Sequence, residues 1–116
     1  MTPFEELVQV MKTLQAPGGC PWDREQTHQS LKPYFLEEVY EALEAIDTGD
    51  DDHIKEELGD VLLQVVFHAE LAAREGRFDI DDVVRVIVAK MKRRHPHVFG
   101  NEEVDGSGQV LKNWEE

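Results

Sequence analysis

A chain of 116 residues with 41% hydrophobic and 32% charged residues has the size and apolar content of one soluble globular domain, and is too apolar for a disordered segment. Its net charge of −13 repels phosphate backbones and excludes nucleic-acid binding driven by counterion release, so an anionic ligand would need a local device to hold it. The lone Cys20 cannot close an intrachain disulfide, no charged and then apolar leader opens the chain, and the apolar stretch from Val61 to Ala73 is broken by Gln64, His68 and Glu70; a cytoplasmic protein without a membrane segment is expected.

Thr2-Pro3-Phe4-Glu5 reads as a capping box with proline at the first helical position, and Phe4, Leu7, Val8, Met11 and Leu14 recur at helical spacing, which predicts a first helix from Pro3 to about Gln15. The next eight residues, Ala16 to Asp23, hold two prolines and two glycines and are expected to form a loop. A second helix is expected from Gln29 or Ser30, with Pro33 in its first turn, carrying Leu31, Phe35, Val39, Ala42, Leu43 and Ile46 to a stop at Gly49. Asp50-Asp51-Asp52 supplies N-cap candidates for a long third helix that runs to Glu75 before Gly76. Phe78-Asp79-Ile80-Asp81-Asp82-Val83 resembles a hydrophobic staple around an aspartate cap, starting a fourth helix with Val83, Val84, Ile87, Val88 and Met91 on one side and an end near His95-Pro96. No segment shows strand-like alternation, so the expected fold is all-α: a four-helix bundle in a single domain over 1–116, with a helical core at 1–99 and a tail at 100–116 that is mobile unless Val110 to Trp114 docks.

On the second helix Glu38 and Glu41 share a face at the margin of the apolar arc, with Glu37 just beyond. The third helix has two apolar arcs, one of Ile54, Leu58, Val61, Leu62, Val65 and Ala69 and another of Leu63 and Phe67, which fits burial against a second subunit. Between them runs a polar stripe of Glu57, Asp60, Gln64 and His68, at spacings that stack these side chains along one line. Like charges at i and i+3 repel, and a divalent cation would relieve them; Mg²⁺ prefers hard oxygen ligands and shares them with substrate phosphates. Two E-x-x-E/D turns on facing helices would present four carboxylates to one cavity, as in helical-bundle metal sites. Spacing alone also admits a solvated acidic face.

Glu37-Glu38-x-x-Glu41 followed by Glu57-x-x-Asp60 resembles the MazG family of nucleoside triphosphate pyrophosphohydrolases. The likeness extends in order through Gly19-Cys20-Pro21-Trp22-Asp23, Gln26-Thr27-His28, Glu56 to Asp60 and Arg93-Arg94-His95-Pro96-His97-Val98-Phe99, covering nearly the whole chain. This resemblance implies an all-α protein that forms a homodimer or higher homo-oligomer and cleaves NTPs or dNTPs to the monophosphate and diphosphate with Mg²⁺, or Mn²⁺ in its place, in a housecleaning role against non-standard nucleotides. It implies Glu38, Glu41, Glu57 and Asp60 as metal ligands, Glu37 as an accessory acid, Lys90 and Arg94 as phosphate contacts and Trp114 as a nucleotide contact. Lys90 and Arg94 could instead neutralise a helix C-terminus.

Several residues are assigned humbler roles. His95-Pro96-His97 lacks the further ligands a zinc site needs, His68 reads as a packing residue, Trp22 as a loop anchor ahead of a base-stacking group, and Cys20 has no base partner that would make it a nucleophile. The alternative function is a catalytically weak or inactive MazG module that binds nucleotide or supports assembly. It is motivated by the single MazG copy in this sequence, where many members carry two, and by the basic residue found before E-x-x-D in some active members, which is not cleanly matched here, His53 and Lys55 being the nearby candidates.

Overall fold

The computed structural model describes residues 1–100 and 106–115, the side chains of 109 and 113–115 excepted, and every regular element among them is a helix. The chain folds as two compact units, Met1–Asp79 and Ile80–Glu116. The first holds α1 (Pro3–Gln15), α2 (Pro21–Glu25), α3 (His28–Thr48) and α4 (Asp51–Arg74); the second holds α5 (Ile80–Arg94), α6 (Pro96–Phe99) and α7 (Ser107–Glu115). Four of these seven are the helices the periodicity predicts.

Each boundary in the first unit has a local cause. The Thr2 hydroxyl accepts the Glu5 N–H at 3.1 Å and starts α1. Thr27 and Ser30 close a reciprocal capping box that starts α3: the Ser30 N–H donates to Thr27 Oγ1 at 3.0 Å, and the Thr27 N–H to Ser30 Oγ at 2.8 Å. Because this box places the helix start at His28, Pro33 falls inside the helix rather than in its first turn. Gly49, at φ 72°, ends α3 in the left-handed conformation that glycine adopts without a Cβ penalty. One residue later the Asp50 carboxylate accepts the Asp52 N–H at 3.1 Å and opens α4.

The Ala16 to Asp23 stretch is more ordered than a plain loop. Cys20 donates its N–H to the Leu14 carbonyl at 2.8 Å, and a Cβ on Gly19 would run into that same carbonyl, so only glycine lets the chain turn back this tightly on α1. Pro21 then opens the short α2, where its missing N–H is no loss. Trp22 packs edge-on against Tyr34 and Phe67, with ring centroids 5.7 and 6.4 Å apart, and so anchors this segment to α3 and α4.

In the core of this unit α4 packs against both α1 and α3. Met11, Leu31 and Val66 are fully buried, and Ala42 and Ala45 on α3 with Ala69 and Ala72 on α4 are small enough for the helices to approach closely. The buried Gln15 amide is satisfied: its Nε2 donates to the Phe67 carbonyl at 3.5 Å and its Oε1 accepts from Arg74 at 3.0 Å. The expected apolar arcs are only partly covered. Leu43 and Ile46 on α3 and Leu58 and Leu62 on α4 remain 41–53% exposed.

In the second unit α5 begins directly after Asp79 and packs against both α6 and α7. Its last turn is tied to α6 by His95, whose Nδ1 lies 2.7 Å from the Met91 carbonyl; the carbonyl can only accept, so Nδ1 carries the proton. Val84, Val86, Ile87 and Val88 are exposed along α5, the first and the last two belonging to the apolar side that the periodicity predicts. Part of the expected tail is the helix α7.

Truncating the fully buried Met11 to alanine leaves a cavity in the core of the first unit. Met11→Ala is expected to lower unfolding stability by about 2–5 kcal/mol in urea denaturation.

Candidate metal and nucleotide site

Glu38 and Glu41 lie one turn apart on α3, and Glu57 and Asp60 one turn apart on α4. The two-residue link between the helices folds them back on each other, so both carboxylate pairs meet in one place. One oxygen from each of the four groups can be chosen so that all lie within 4.8 Å of one another. The spacing argument thus identifies a real cluster. Glu37, the accessory position, is exposed on α3 and stands outside it.

The electrostatics of the cluster are unfavourable to the bare protein. Glu38 and Glu57 both titrate above the ordinary glutamate value, first because their surroundings desolvate them and then because of the neighbouring carboxylates: Asp60, Glu41 and Glu57 act on Glu38, and Glu41 and Asp60 on Glu57. His53, one turn before Glu57, opposes this with an Nε2–Oε1 distance of 3.6 Å. Of the two basic candidates preceding E-x-x-D, His53 therefore faces the cluster, while Lys55 pairs with Asp52 at 3.1 Å. Glu38 Oε2 and Glu57 Oε2 are buried without a hydrogen-bond partner. Buried acceptors normally find a donor, so two orphaned carboxylate oxygens in one acidic cluster fit a cation that would lie between them. Hard oxygen donors on two rigid helices are the donor set that a divalent metal requires.

The polar stripe on α4 continues past the cluster through Gln64 and His68. His68 is engaged in a way the sequence did not reveal: its Nδ1 stands 2.7 Å from His28 Nδ1 in nearly parallel rings, and His28 Nε2 stands 2.7 Å from Arg77 Nη2. Phe35 packs beside the same ring at 5.7 Å. Burial, and then the neighbouring His28, hold His68 below the usual histidine range. His28 entered the sequence reading only as part of the Gln26-Thr27-His28 motif, with no role of its own; only the folding of α3 onto α4 brings it to His68.

Lys90 and Arg94 lie one turn apart on α5 in the second unit, both partly buried. The Trp114 side chain lies outside the described residues. Trp22 has the anchoring role described above, and no described helix is long and apolar enough to cross a membrane.

Comparison with known proteins agrees with this geometry. Residues 26–99, which contain all four clustered acids together with Lys90 and Arg94, match the MazG nucleotide pyrophosphohydrolase domain. The chain is 59% identical to the nucleoside triphosphate pyrophosphohydrolase/pyrophosphatase MazG of Thermotoga maritima, over 97% of this chain and 43% of that protein. It is 48% identical to the nucleoside triphosphate pyrophosphohydrolase of Escherichia coli K12, over 100% of this chain and 44% of that protein. The chain therefore spans less than half the length of these curated relatives. Its fold is that of a mazG-related protein of Thermotoga maritima known from a crystal structure, with a TM-score of 0.75 at 25% identity over 96% of this chain and 95% of that one. An acidic cluster built from E-E-x-x-E and E-x-x-D turns, inside a matched domain and an all-α fold shared with a mazG-related structure, places this chain in the MazG nucleotide pyrophosphohydrolase family.

Proposed function

We propose that this chain is a Mg²⁺-dependent nucleoside triphosphate pyrophosphohydrolase that converts an NTP or dNTP and water to the monophosphate and diphosphate, in the cytoplasm and in a housecleaning role against non-standard nucleotides. The observation that carries this reading is the cluster of Glu38, Glu41, Glu57 and Asp60, with two buried carboxylate oxygens left without a donor. These four residues would hold the metal, Mg²⁺ or in its place Mn²⁺, and Glu37 would act as an accessory acid at the rim. Bound divalent metal supplies charge neutralisation at the phosphoryl oxygens and lowers the pKa of a coordinated water.

The protein's own groups have separable tasks in this reading. The α3–α4 hairpin fixes the four carboxylates before substrate arrives, so little reorganisation is needed when charge develops on the phosphates. Lys90 and Arg94 would contact the phosphate oxygens, and Trp114 the nucleotide. The substrate's negative charge is thereby met by local cations in a chain of net charge −13. The four longer helices α1, α3, α4 and α5 would form the bundle of one subunit in a homodimer or larger homo-oligomer. The exposed Tyr40, Leu43, Ile46, Leu58 and Leu62 support this oligomer, because apolar patches of that kind are normally covered in solution.

With Mg²⁺ and a panel of nucleoside triphosphates, the expected products are the monophosphate and diphosphate; a nucleoside diphosphate with orthophosphate would refute cleavage at the α–β bond. Asp60→Asn is expected to lower kcat/KM by about 100-fold or more, since even the partners of metal ligands are typically worth 10–100-fold. Nucleotide binding without turnover, unchanged in Glu57→Gln, would instead favour a non-hydrolytic binding module.

The raised carboxylates give a second test. Above the ordinary value of 4.5, the folded protein retains protons on Glu38 and Glu57 that the unfolded chain has lost. Their contribution to stability is therefore full below 4.5 and declines as pH rises through the folded values. A metal competes with those same protons, so the rise in melting temperature on adding Mg²⁺ or Mn²⁺ is expected to grow as pH increases toward neutrality. A shift that does not depend on pH, or no shift, would contradict a carboxylate metal site.

A further inference from the structure

The hydrogen bonds around His68 fix where its proton sits. An arginine can only donate, so Arg77 Nη2 gives its hydrogen to His28 Nε2 across 2.7 Å. Neutral His28 then carries its own proton on Nδ1 and donates it to His68 Nδ1, also at 2.7 Å. With Nδ1 occupied as an acceptor, neutral His68 must be protonated on Nε2; the tautomer is assigned by the network, beginning at a group that cannot reverse. Burial, and then the neighbouring His28, lower the titration of His68 and so favour the neutral ring.

This relay leaves a donor with nothing to donate to. His68 Nε2 is buried and has no hydrogen-bond partner, and one turn earlier on the same line Gln64, only 8% exposed, holds its Oε1 acceptor equally unpartnered. Leaving two such groups unsatisfied costs free energy that a purely structural stripe would avoid. The same ring lies at the wall of a groove of about 730 Å³ lined by Lys32, Pro33, Phe35, Leu36, Val39 and His68. Apart from Lys32 and His68 that lining is apolar and partly aromatic, suited to a flat ring system.

We infer that Gln64, His68 and this groove form the nucleoside subsite of the proposed enzyme, His68 Nε2–H donating to an acceptor on the sugar or base and Gln64 Oε1 accepting from a donor there. The inference rests on the nucleotide reading of the acidic cluster. The geometry supports it because Asp60, Gln64 and His68 follow one another at intervals of four, so the subsite lies on the line of the cluster, about 12 Å further along α4 for eight residues of helix. A triphosphate held at the carboxylates would direct its sugar and base along that line.

The test measures Mg²⁺-dependent binding and turnover of the standard ribo- and deoxyribonucleoside triphosphates, with inorganic tripolyphosphate as a ligand that has phosphates but no nucleoside. Gln64→Leu and His68→Phe preserve side-chain size, and each is expected to raise KM about three- to tenfold, the worth of one hydrogen bond, with kcat and the tripolyphosphate inhibition constant nearly unchanged. Equal losses for tripolyphosphate and nucleotide would mean that the variants only disturb the helices, and unchanged KM would mean that the nucleoside lies elsewhere; either overturns the inference while leaving the hydrolase intact. Wild-type protein that takes neither ligand would overturn the nucleotide reading itself, and this inference with it. Independently of any variant, the ¹⁵N spectrum of the free protein should show His68 protonated on Nε2 and, in Arg77→Met, a mixture of tautomers. A wild-type His68 protonated on Nδ1 would contradict the relay.

Discussion

Repulsion among four carboxylates is the constraint around which the first unit is organised. One oxygen each of Glu38, Glu41, Glu57 and Asp60 can lie within 4.8 Å of the others, and Glu38 and Glu57 are held above the ordinary glutamate range by desolvation and by neighbouring carboxylates. A flexible surface would separate these charges. Here the spacing is enforced by a helical hairpin whose ends are fixed: the Thr27–Ser30 box starts α3, Gly49 stops it in the left-handed conformation, and Asp50 caps α4 one residue later. The buried alanines at 42, 45, 69 and 72 keep the core faces of α3 and α4 small, and α4 packs against α3 along the hairpin. Folding therefore stores an electrostatic cost that a bound cation would relieve, the pre-organisation that a metal-dependent phosphoryl site needs.

Much of this was legible in the sequence, for identifiable reasons. E-x-x-E and E-x-x-D at helical spacing place each pair on one face whatever else happens, because i and i+3 are neighbours on any α-helix. The meeting of the two pairs depends on a short connection, and Gly49-Asp50 is a strong stop-and-start signal. The order of the motifs pointed to the family that the domain match then showed. Proline and glycine in Ala16 to Asp23 were read as loop, and the short α2 escaped notice because Pro21 can open a helix as readily as it can end one.

What remained hidden was set by tertiary contact. His28 and His68 are forty residues apart, and nothing in either neighbourhood indicates that their rings share a hydrogen bond. His68, read as a packing residue, is half-buried beside Phe35, and that reading did not anticipate a polar relay from Arg77. His53 was named only as one of two basic candidates, and its ion pair with Glu57 follows from i, i+4 geometry once the helix is known. Leu43, Ile46, Leu58 and Leu62 pattern as core on the wheel yet remain exposed in the chain, because periodicity identifies an apolar face without saying what covers it.

The acidic cluster and the polar line that leaves it along α4 divide the proposed substrate into a phosphate end and a nucleoside end, both dependent on the same carboxylates. Direct titration of Mn²⁺ followed by electron paramagnetic resonance tests that dependence most plainly. The signal of free Mn²⁺ should diminish in the presence of the wild-type protein, and substantially less so with Glu57→Gln or Asp60→Asn, both correctly folded. Undiminished free Mn²⁺ with the wild type, or equal binding by all three proteins, would contradict a metal site at Glu38, Glu41, Glu57 and Asp60.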